Sequence, residues 1–564
     1  MALDLTADQR ALGKANTADV AGELHRRGFM KSVAAGAAVV PVAAAAYYGY
    51  EAVQGRPVKT ALIGCGDEGG VLLGEHDPKT VEIVALCDIR PYNQRRIIEG
   101  EGATSLRKGY KRIYGADQAK KVAANHMYTD YKEMLQKEKD LEAVIIALPL
   151  HLHAEASIAC MEAGKHVLCE KLMARTVGQC KEMIAAAKKH NRVLSIGHQR
   201  HYSLLYAHAL EMIEAGVLGD INHIRALWHR NFSWPWTDDG SKKIVQGVPG
   251  IKQPTPTLRD GWFQPILAED YEALKDTYGS KYGYKSMEEL IRWRLFNRTG
   301  GGLMAELGSH QLDACSIFLG KVKPLSVMGV GTRSFFGDVK DPAARNNPRG
   351  IDDQVFVTFE FPGKNHPKGP HQGTDKDDVV VVTYSSVSTN GFEPYGECVM
   401  GSRGTMVVSM ESELMLFKEQ QPGGTKPRET KATVSQVGNK PAVEAAGTWG
   451  PGGAGPAPGG VAGNANAKDG PVPSRGYKEE MADFAHCVRL WDEKRGYEVA
   501  SSKDGKNQYA QRLPRCHGEV AMADAILALT ANLAMANRQR IEFNPEWFKA
   551  ESAEAPDKQV SFND

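Results

Sequence analysis

With 564 residues the chain is too long for one ordinary hydrophobic core, so two domains with insertions are expected. Its 69 basic and 68 acidic residues nearly balance, which argues against nucleic acid as a partner, because proteins that bind it usually present a basic face. The nine cysteines include no C-x-x-C pair, and their odd number argues against a disulfide framework.

The first 56 residues differ from the rest and are predicted to be a leader. Arg26 and Arg27 precede an uncharged, Ala- and Val-rich run over residues 32–50, a pattern that resembles a twin-arginine export signal. A buried helix and a membrane anchor are the alternatives, but the run is slightly short of the roughly 20 apolar residues of a spanning helix. We therefore expect an exported, periplasmic protein that stays out of the membrane after export.

The next stretch carries a nucleotide-binding pattern. An apolar run over residues 58–63 leads into a G-x-G-x-x-G motif formed by Gly64, Gly66 and Gly69. The first glycine permits a tight turn, the second lets the backbone approach a pyrophosphate, and the third lets the helix pack on the strand. A second apolar run ends in Asp88, 19 residues after Gly69, where a carboxylate can accept from ribose hydroxyls. Strand, spacing and acid together predict a dinucleotide site.

Arg90 bears on which dinucleotide is bound. An arginine just beyond the acid either stacks on adenine or holds a 2′-phosphate. Asp88 would repel that phosphate, so the sequence favours NAD, with NADP possible.

Strands and helices then alternate as far as residue 200. Continuous apolar runs over residues 143–149, 165–169 and 193–197 are typical of buried parallel strands, and helices are predicted over 154–163 and 176–190. The alternation predicts a doubly wound parallel sheet over residues 57–200. His151 and His153 form an H-x-H pair without a third zinc ligand, so no metal is expected.

Beyond residue 200 the pattern changes to β-type runs joined by turns. They span residues 221–229, 325–330, 354–361, 379–387, 397–410 and 414–418. This predicts a largely antiparallel sheet in an α+β domain over residues 201–550, closed by helices at 478–490 and 518–537. Residues 421–474 are a Pro/Gly-rich insertion that cannot form a core, and residues 551–564 are a tail. Aromatic residues between 228 and 294 suit either sugar stacking or packing.

A second group of residues is predicted to form a catalytic site. Lys171 directly follows a buried strand, and Glu306, His310 and Asp313 have the i, i+4 and i+7 spacing that shares one face of a helix. A carboxylate beside an imidazole fixes its tautomer and raises its basicity, which suits a general base. The alternative is a capped surface helix with an ordinary histidine.

Over residues 57–320 the sequence resembles the glucose–fructose oxidoreductase / inositol dehydrogenase / rhizopine-catabolism (Gfo/Idh/MocA) family. The resemblance is carried by the glycine turn, by Pro149 with His153, and by the stretches 163–171 and 306–313. Lys171 matches the lysine of the family's Glu-Lys-Pro motif, and His310 the histidine of its Asp-x-Gly-x-His motif. The chain departs from these motifs at Leu172 and Glu306.

The resemblance implies a Rossmann domain followed by an α/β domain with an open antiparallel sheet, in a homodimer or homotetramer. It implies Lys171, His310 and Glu306 as catalytic residues, and Pro149, His153 and Glu170 beside the cofactor. His201, Tyr202 and Asp313 are the expected substrate residues. In the implied mechanism hydride passes from a substrate CH–OH to NAD, while His310 or Lys171 takes the hydroxyl proton.

Export restricts the function, because no soluble pool of NAD exists outside the cytoplasm. An exported dehydrogenase must keep its cofactor and regenerate it within its own cycle. An oxidoreductase that acts on the CH–OH group of a sugar or polyol meets this condition, and so does an NAD-dependent glycoside hydrolase that works by transient oxidation and elimination. A non-catalytic sugar-binding protein is the third possibility.

Overall fold

The computed structural model describes residues 5–25, 55–102, 106–231, 243–254, 260–336, 349–419, 475–495, 497 and 511–558. Three features noted in the sequence lie outside these residues: the twin-arginine pair with its apolar run, the aromatic residues at 234–236, and the Pro/Gly-rich insertion.

The first domain is a parallel sheet flanked by helices. Its strands are β1 (Val58–Ile63), β2 (Val81–Cys87), β3 (Met127–Tyr128), β4 (Ala143–Ile146), β5 (His166–Glu170) and β6 (Leu194–Gly197). Its helices are α2 (Asp67–Glu75), α3 (Pro91–Glu99), α4 (Tyr110–Tyr114), α5 (Ala116–Asn125), α6 (Tyr131–Lys137), α7 (His153–Glu162) and α8 (Val177–His190). The strand order β3-β2-β1-β4-β5-β6 reverses direction between β1 and β4, which opens a crevice at the carboxyl ends of these strands.

The predicted doubly wound sheet is confirmed. Every pairing in it is parallel, and all residues of β4, β5 and β6 are buried, as continuous apolar runs predict. Strand β3 was not predicted, because two residues carry no periodic signal.

The second domain is built on an eight-stranded sheet. Its strands are β7 (Ile221–His229), β8 (Ser326–Thr332), β9 (Gln354–Pro362), β10 (Val379–Val387), β11 (Tyr395–Gly401), β12 (Gly404–Ser409), β13 (Glu413–Lys418) and β14 (Ile541–Glu542). Their order is β13-β12-β11-β7-β10-β9-β8-β14, and β7 with β10 is the parallel pair in an otherwise antiparallel sheet. The largely antiparallel prediction is therefore confirmed, although the run 397–410 forms two strands.

The remaining helices are α1 (Ala7–His25), α9 (Leu204–Glu214), α10 (Ala268–Leu274), α11 (Met287–Ile291), α12 (Ser309–Phe318), α13 (Tyr477–Leu490) and α14 (Gly518–Asn537). Helix α14 is long and apolar enough to cross a membrane, but 67% of its apolar window is buried and it packs on α8, α12 and β8. This is the setting of a core helix.

Helix α1, part of the predicted leader, covers the edge strand β13. Arg10 and Lys14 both pair with Glu413 at 2.6 Å, and the Asn16 amide donates to the Leu416 carbonyl at 2.9 Å. An open edge strand invites pairing with other chains, so this helix protects the sheet.

Helix α13 lies on the first sheet, although the sequence placed it in the second domain. Its residues Tyr477, Met481 and Phe484 share a buried cluster with Val58 and Leu62 of β1. A helical pattern in the sequence specifies an apolar face but not which sheet that face meets.

Glu397 on β11 makes a testable contribution to the pH dependence of stability. It is fully buried and accepts a hydrogen bond from the Tyr206 hydroxyl at 3.0 Å, and burial raises its pKa to about 7. The pKa of an unfolded glutamate is about 4.3, so the folded protein holds this proton more tightly than the unfolded chain does. The free energy of unfolding therefore falls as pH rises between the two pKa values.

We expect Glu397→Gln to gain stability over the parent protein as pH rises from 5 to 8, by on the order of 2 kcal/mol in the free energy of unfolding. Urea unfolding at the two pH values measures this difference. Asp220→Asn, whose carboxylate is 74% exposed, is the control. Equal pH dependence in Glu397→Gln and the parent protein would contradict the expectation.

Candidate active site

A cavity of about 410 Å³ lies where the carboxyl ends of β1, β2, β4 and β5 face the second domain. The first domain lines it with Gly64, Gly66, Asp88, Arg90, Pro149, His153, Glu170 and Lys171. Glu306 of the second domain also lines it, so nine residues predicted from the sequence meet in one cleft. Residues 262–294 of the second domain form the facing wall.

The glycine turn has the shape that a pyrophosphate requires. Gly64 has φ +94°, and a Cβ there would lie 2.2 Å from the Ala147 carbonyl oxygen. A Cβ on Gly69 would lie 1.9 Å from the Gly64 carbonyl oxygen, so α2 packs closely against its own turn. At Gly66, by contrast, no heavy atom lies within 4 Å of the Cβ position. This open backbone at a helix N-terminus fits a dinucleotide phosphate.

Asp88 follows β2 and is held in place by three hydrogen bonds. One carboxylate oxygen accepts from the Cys65 amide at 2.8 Å and from the Asn93 side chain at 3.0 Å, and the other accepts from the Arg90 amide at 2.8 Å. Burial raises the pKa of Asp88, and the hydrogen bonds oppose that effect. The carboxylate is thus fixed at the cleft, where a ribose is expected.

Arg90 is engaged by a residue of the second domain. Its Nε and Nη2 donate to Asp270 at 3.0 and 2.8 Å. A 2′-phosphate at this position would meet two carboxylates, Asp88 and Asp270, which favours NAD on electrostatic grounds.

His153 and Glu170 both line the cleft. The two ring nitrogens of His153 contact the Leu148 and Leu172 carbonyl oxygens at 2.8 and 2.9 Å, so the ring joins two loops and leaves no free nitrogen for a cofactor. Glu170 is buried, which raises its pKa to about 7.

Lys171 extends from the end of β5 into the cleft. Its side chain is almost buried, and Nζ donates to the Glu306 carbonyl oxygen at 2.8 Å. Burial lowers the pKa of Lys171, while the carboxylates of Glu306 and Glu170 oppose that shift. An ammonium group in this setting can donate a hydrogen bond to an alcohol oxygen and stabilise negative charge on it.

The carboxylates of Glu306 and Asp313 make their hydrogen bonds with side chains other than His310. Residues 304–308 form a π-helical turn, which changes the rotation from one residue to the next relative to an α-helix. The Glu306 carboxylate accepts from Arg294 Nε at 2.8 Å, and Asp313 accepts from His201 at 2.8 Å. The two carboxylates thus bond to other partners than the His310 imidazole.

His310 is buried and is not among the cavity-lining residues. The ring centroids of His310 and Trp228 are 5.3 Å apart. Burial lowers the pKa of His310 well below its usual range, and the Lys171 charge adds to that shift. Burial and the Lys171 charge therefore both favour the neutral imidazole.

The three expected substrate residues have their contacts in the interior of the protein. Tyr202 is fully buried, and its hydroxyl accepts from the Cys516 amide at 3.1 Å. His201 and Asp313 bond to each other, and Lys321 donates to both Asp313 and Asp524. None of the three lines the cleft.

A group of possible metal ligands lies beside this cluster. Ligand atoms of His198, Asp313 and Asp524 all fall within 4.8 Å of one another. The Lys321 ammonium already bonds to both carboxylates, at 2.8 Å to Asp313 and 3.2 Å to Asp524, and so supplies the positive charge there. The arrangement is explained as a buried ion-pair network.

Sequence reasoning missed the residues that the second domain brings to the cleft. Arg294 stacks on the Trp293 ring, 4.3 Å from its centroid, and holds Glu306. Trp262 and Tyr284 line the same wall. The abundance of aromatic residues between 228 and 294 was the available signal, but it did not say which of them would reach the site.

Comparisons with known proteins agree with this architecture. A model described as the oxidoreductase family with an NAD-binding Rossmann fold matches residues 58–198, and one described as the GFO/IDH/MocA C-terminal domain matches residues 277–407. Levoglucosan dehydrogenase from Pseudarthrobacter phenanthrenivorans is 35% identical over 118 residues, which is 21% of this chain but only 30% of that protein. D-glucoside 3-dehydrogenase from Escherichia coli is 25% identical over 55% of this chain and 68% of its own length.

Among solved structures, an inositol dehydrogenase homolog from Azotobacter vinelandii, complexed with NADH and myo-inositol, superposes with a TM-score of 0.52. The alignment covers 86% of this chain and 98% of that one at 15% identity, so it shows a shared fold. One family model covers the nucleotide-binding domain with its glycine turn, and the other covers part of the second domain. Over residues 58–198 and 277–407 the chain is therefore similar to the GFO/IDH/MocA family of oxidoreductases.

Proposed function

We propose that the protein is an NAD-dependent oxidoreductase that acts on the CH–OH group of a sugar, polyol or sugar derivative. The observation that carries the proposal is the single cleft in which the glycine turn, Asp88 and Lys171 meet. Such a cleft brings a nucleotide and a proton-donating side chain to the same space. The sugar-related dehydrogenases among its relatives support this substrate class.

NAD bound in the cleft supplies the hydride acceptor. The residues of the chain do the rest: Lys171 donates a hydrogen bond to the alcohol oxygen and stabilises the negative charge that develops there. Either Lys171 itself or His310, which is near enough for the Lys171 charge to lower its pKa, receives the hydroxyl proton. The Glu306 carbonyl oxygen holds the Lys171 ammonium. A positioned base of this kind typically contributes about 10²- to 10⁴-fold to the rate.

Export through the twin-arginine pathway, with a tightly held and self-recycled cofactor, is the finer part of the proposal. The paired arginines and the apolar run support it. All nine cysteines are free and buried, which suits a protein that folds in a reducing compartment before export.

A homo-oligomer belongs to the same proposal. Met328 and Val330 on β8 and Phe356 on β9 are 51%, 62% and 47% exposed, and Val330 pairs directly with Phe356. An exposed apolar patch on a sheet face supports association with another copy.

The first experiment is to purify the protein from an exporting host without added cofactor, denature it and identify the released nucleotide by mass spectrometry. The intact protein is then assayed with sugars and aryl glycosides while absorbance at the NADH band is followed. Oxidation of a sugar coupled to reduction of another carbonyl compound is the expected result. Release of the aryl group without net absorbance change would favour the glycoside hydrolase instead, and a protein that binds no NAD would contradict both.

Replacing His310 with alanine is expected to lower kcat by about 10²- to 10⁴-fold, because the imidazole that can take the hydroxyl proton is lost. NAD affinity should remain within about twofold of the parent value, since the side chain is not among those that line the cavity around the glycine turn and Asp88. Steady-state kinetics and NADH fluorescence titration measure the two effects. Unchanged turnover would remove His310 from the proposed site.

A further inference from the structure

Residues 260–298, here called the strap, run from the second domain across the nucleotide end of the cleft and contain α10 and α11. We propose that the strap is a closing element for bound NAD and that Asp270 is the positioning residue that keeps it shut and so controls cofactor exchange. The inference rests on the use of NAD in the proposed function.

Asp270 joins the strap to the segment that follows Asp88. It is fully buried, and one carboxylate oxygen accepts from Arg90 Nε and Nη2 at 3.0 and 2.8 Å. The other oxygen accepts from the Tyr92 amide at 3.0 Å. That amide is one of the unpaired donors in the first turn of α3, so a carboxylate from the second domain caps a helix of the first.

Apolar and aromatic contacts extend the attachment on both sides of this carboxylate. Ile89, next to Asp88, packs against the strap's own buried cluster, which includes Ile266, Leu274 and Leu290. On the β4 side, the His151 ring meets the Tyr284 ring edge-on at 5.4 Å. The strap therefore contacts the first domain after β2 and again after β4, on either side of the nucleotide crevice.

Side-chain contacts of Arg292 brace the strap internally and also join it to Lys252, outside the strap. Arg292 is buried, pairs with Glu288 at 2.6 Å and donates to the carbonyl oxygens of Gln264 and Lys252. Its guanidinium also lies 3.5 Å from the centroid of the Phe263 ring. Because these contacts join residues across the strap, loss of one attachment to the first domain is expected to loosen the whole segment.

The cleft has one wall from each domain. Gly64, Gly66 and Asp88 lie on one side, and Trp262 and Tyr284 of the strap lie on the other. A nucleotide held between these walls leaves on the strap side only when the strap separates from the first domain. Separation leaves the Arg90 guanidinium and the Tyr92 amide without their buried carboxylate, which opposes opening.

Asp270→Asn tests the proposal, because it keeps the shape of the side chain and removes its charge. We expect NADH to dissociate at least about tenfold faster, measured by stopped-flow fluorescence on the full chain. We also expect less nucleotide to be retained through gel filtration. The matched control is Glu269→Gln, which removes the neighbouring Arg95–Glu269 pair, 2.5 Å apart and partly exposed, and should change the rate less than twofold.

A rate for Asp270→Asn within twofold of the parent protein would overturn the proposal, and so would equal acceleration by Glu269→Gln. If Asp270→Asn does not fold, Tyr284→Leu removes the ring that contacts His151 and should accelerate dissociation in the same way. No acceleration by Tyr284→Leu would then overturn the proposal. A parent protein that binds no NAD would contradict the proposed function itself, a result distinct from all of these.

Discussion

Replacing Lys171 with methionine is expected to lower kcat by roughly 10³-fold while NAD stays bound. The ammonium group lies in the cleft at the end of β5 and is held by the Glu306 carbonyl oxygen at 2.8 Å, where it can stabilise charge on a substrate oxygen. Methionine keeps the length of the side chain and removes the charge. Steady-state kinetics with the best substrate, together with NADH titration, measure the two effects.

Lys165→Met is the matched control, because Lys165 stands just before the opposite end of the same strand and donates to the Leu141 carbonyl oxygen. Its turnover should stay within about twofold of the parent value. Lys171→Arg separates the stabilisation of negative charge from the acceptance of a proton. A guanidinium keeps the positive charge, but it does not give up its proton and so cannot act as a base. A Lys171→Met variant with parental turnover would contradict the assignment.

Replacing Gly69 with alanine is expected to destabilise the folded protein by at least about 2 kcal/mol. The new Cβ would lie 1.9 Å from the Gly64 carbonyl oxygen, and that atom belongs to the backbone of the turn, which cannot rotate away. Either α2 moves off the strand or the turn opens, and both disrupt the phosphate cradle. Urea unfolding of the protein without cofactor measures the loss.

Gly66→Ala provides the contrast within the same motif. No heavy atom lies within 4 Å of its Cβ position, so the protein should unfold at the parental urea concentration. NADH affinity should nevertheless fall by at least about tenfold, because the methyl group occupies the space that a pyrophosphate approaches. Equal unfolding midpoints for Gly69→Ala and the parent, or parental NADH affinity in Gly66→Ala, would contradict this account of the turn.

The architecture could be predicted from the sequence because its signals are local. Continuous apolar runs predicted the parallel strands, and β-type runs joined by turns predicted the second sheet, with β7 and β10 matching the expected bounds. The glycine turn and Asp88 were predicted as one site, because the carboxyl ends of neighbouring parallel strands lie at the same edge of a sheet. Lys171 was found in the same way, at the end of β5.

Side-chain partners far apart in the chain were decided only by the tertiary structure. Arg90 and Asp270 are 180 residues apart, and His201 and Asp313 are 112 apart, so no local periodicity relates them. The prediction that Glu306 and His310 share one helix face assumed a regular α-helix. The chain instead forms a π-helical turn there, and the Glu306 carboxylate pairs with Arg294.

The sequence by itself therefore determined the two sheets, the nucleotide turn and the lysine at the cleft, because spacing along one strand or turn carries these features. The packing of the domains decided where α13 lies, which carboxylate pairs with Arg90, and that the strap closes the cleft. The sequence shows which apolar faces must be buried and which charges must be paired. Only the folded chain determines which surface or charged partner is near enough to do so.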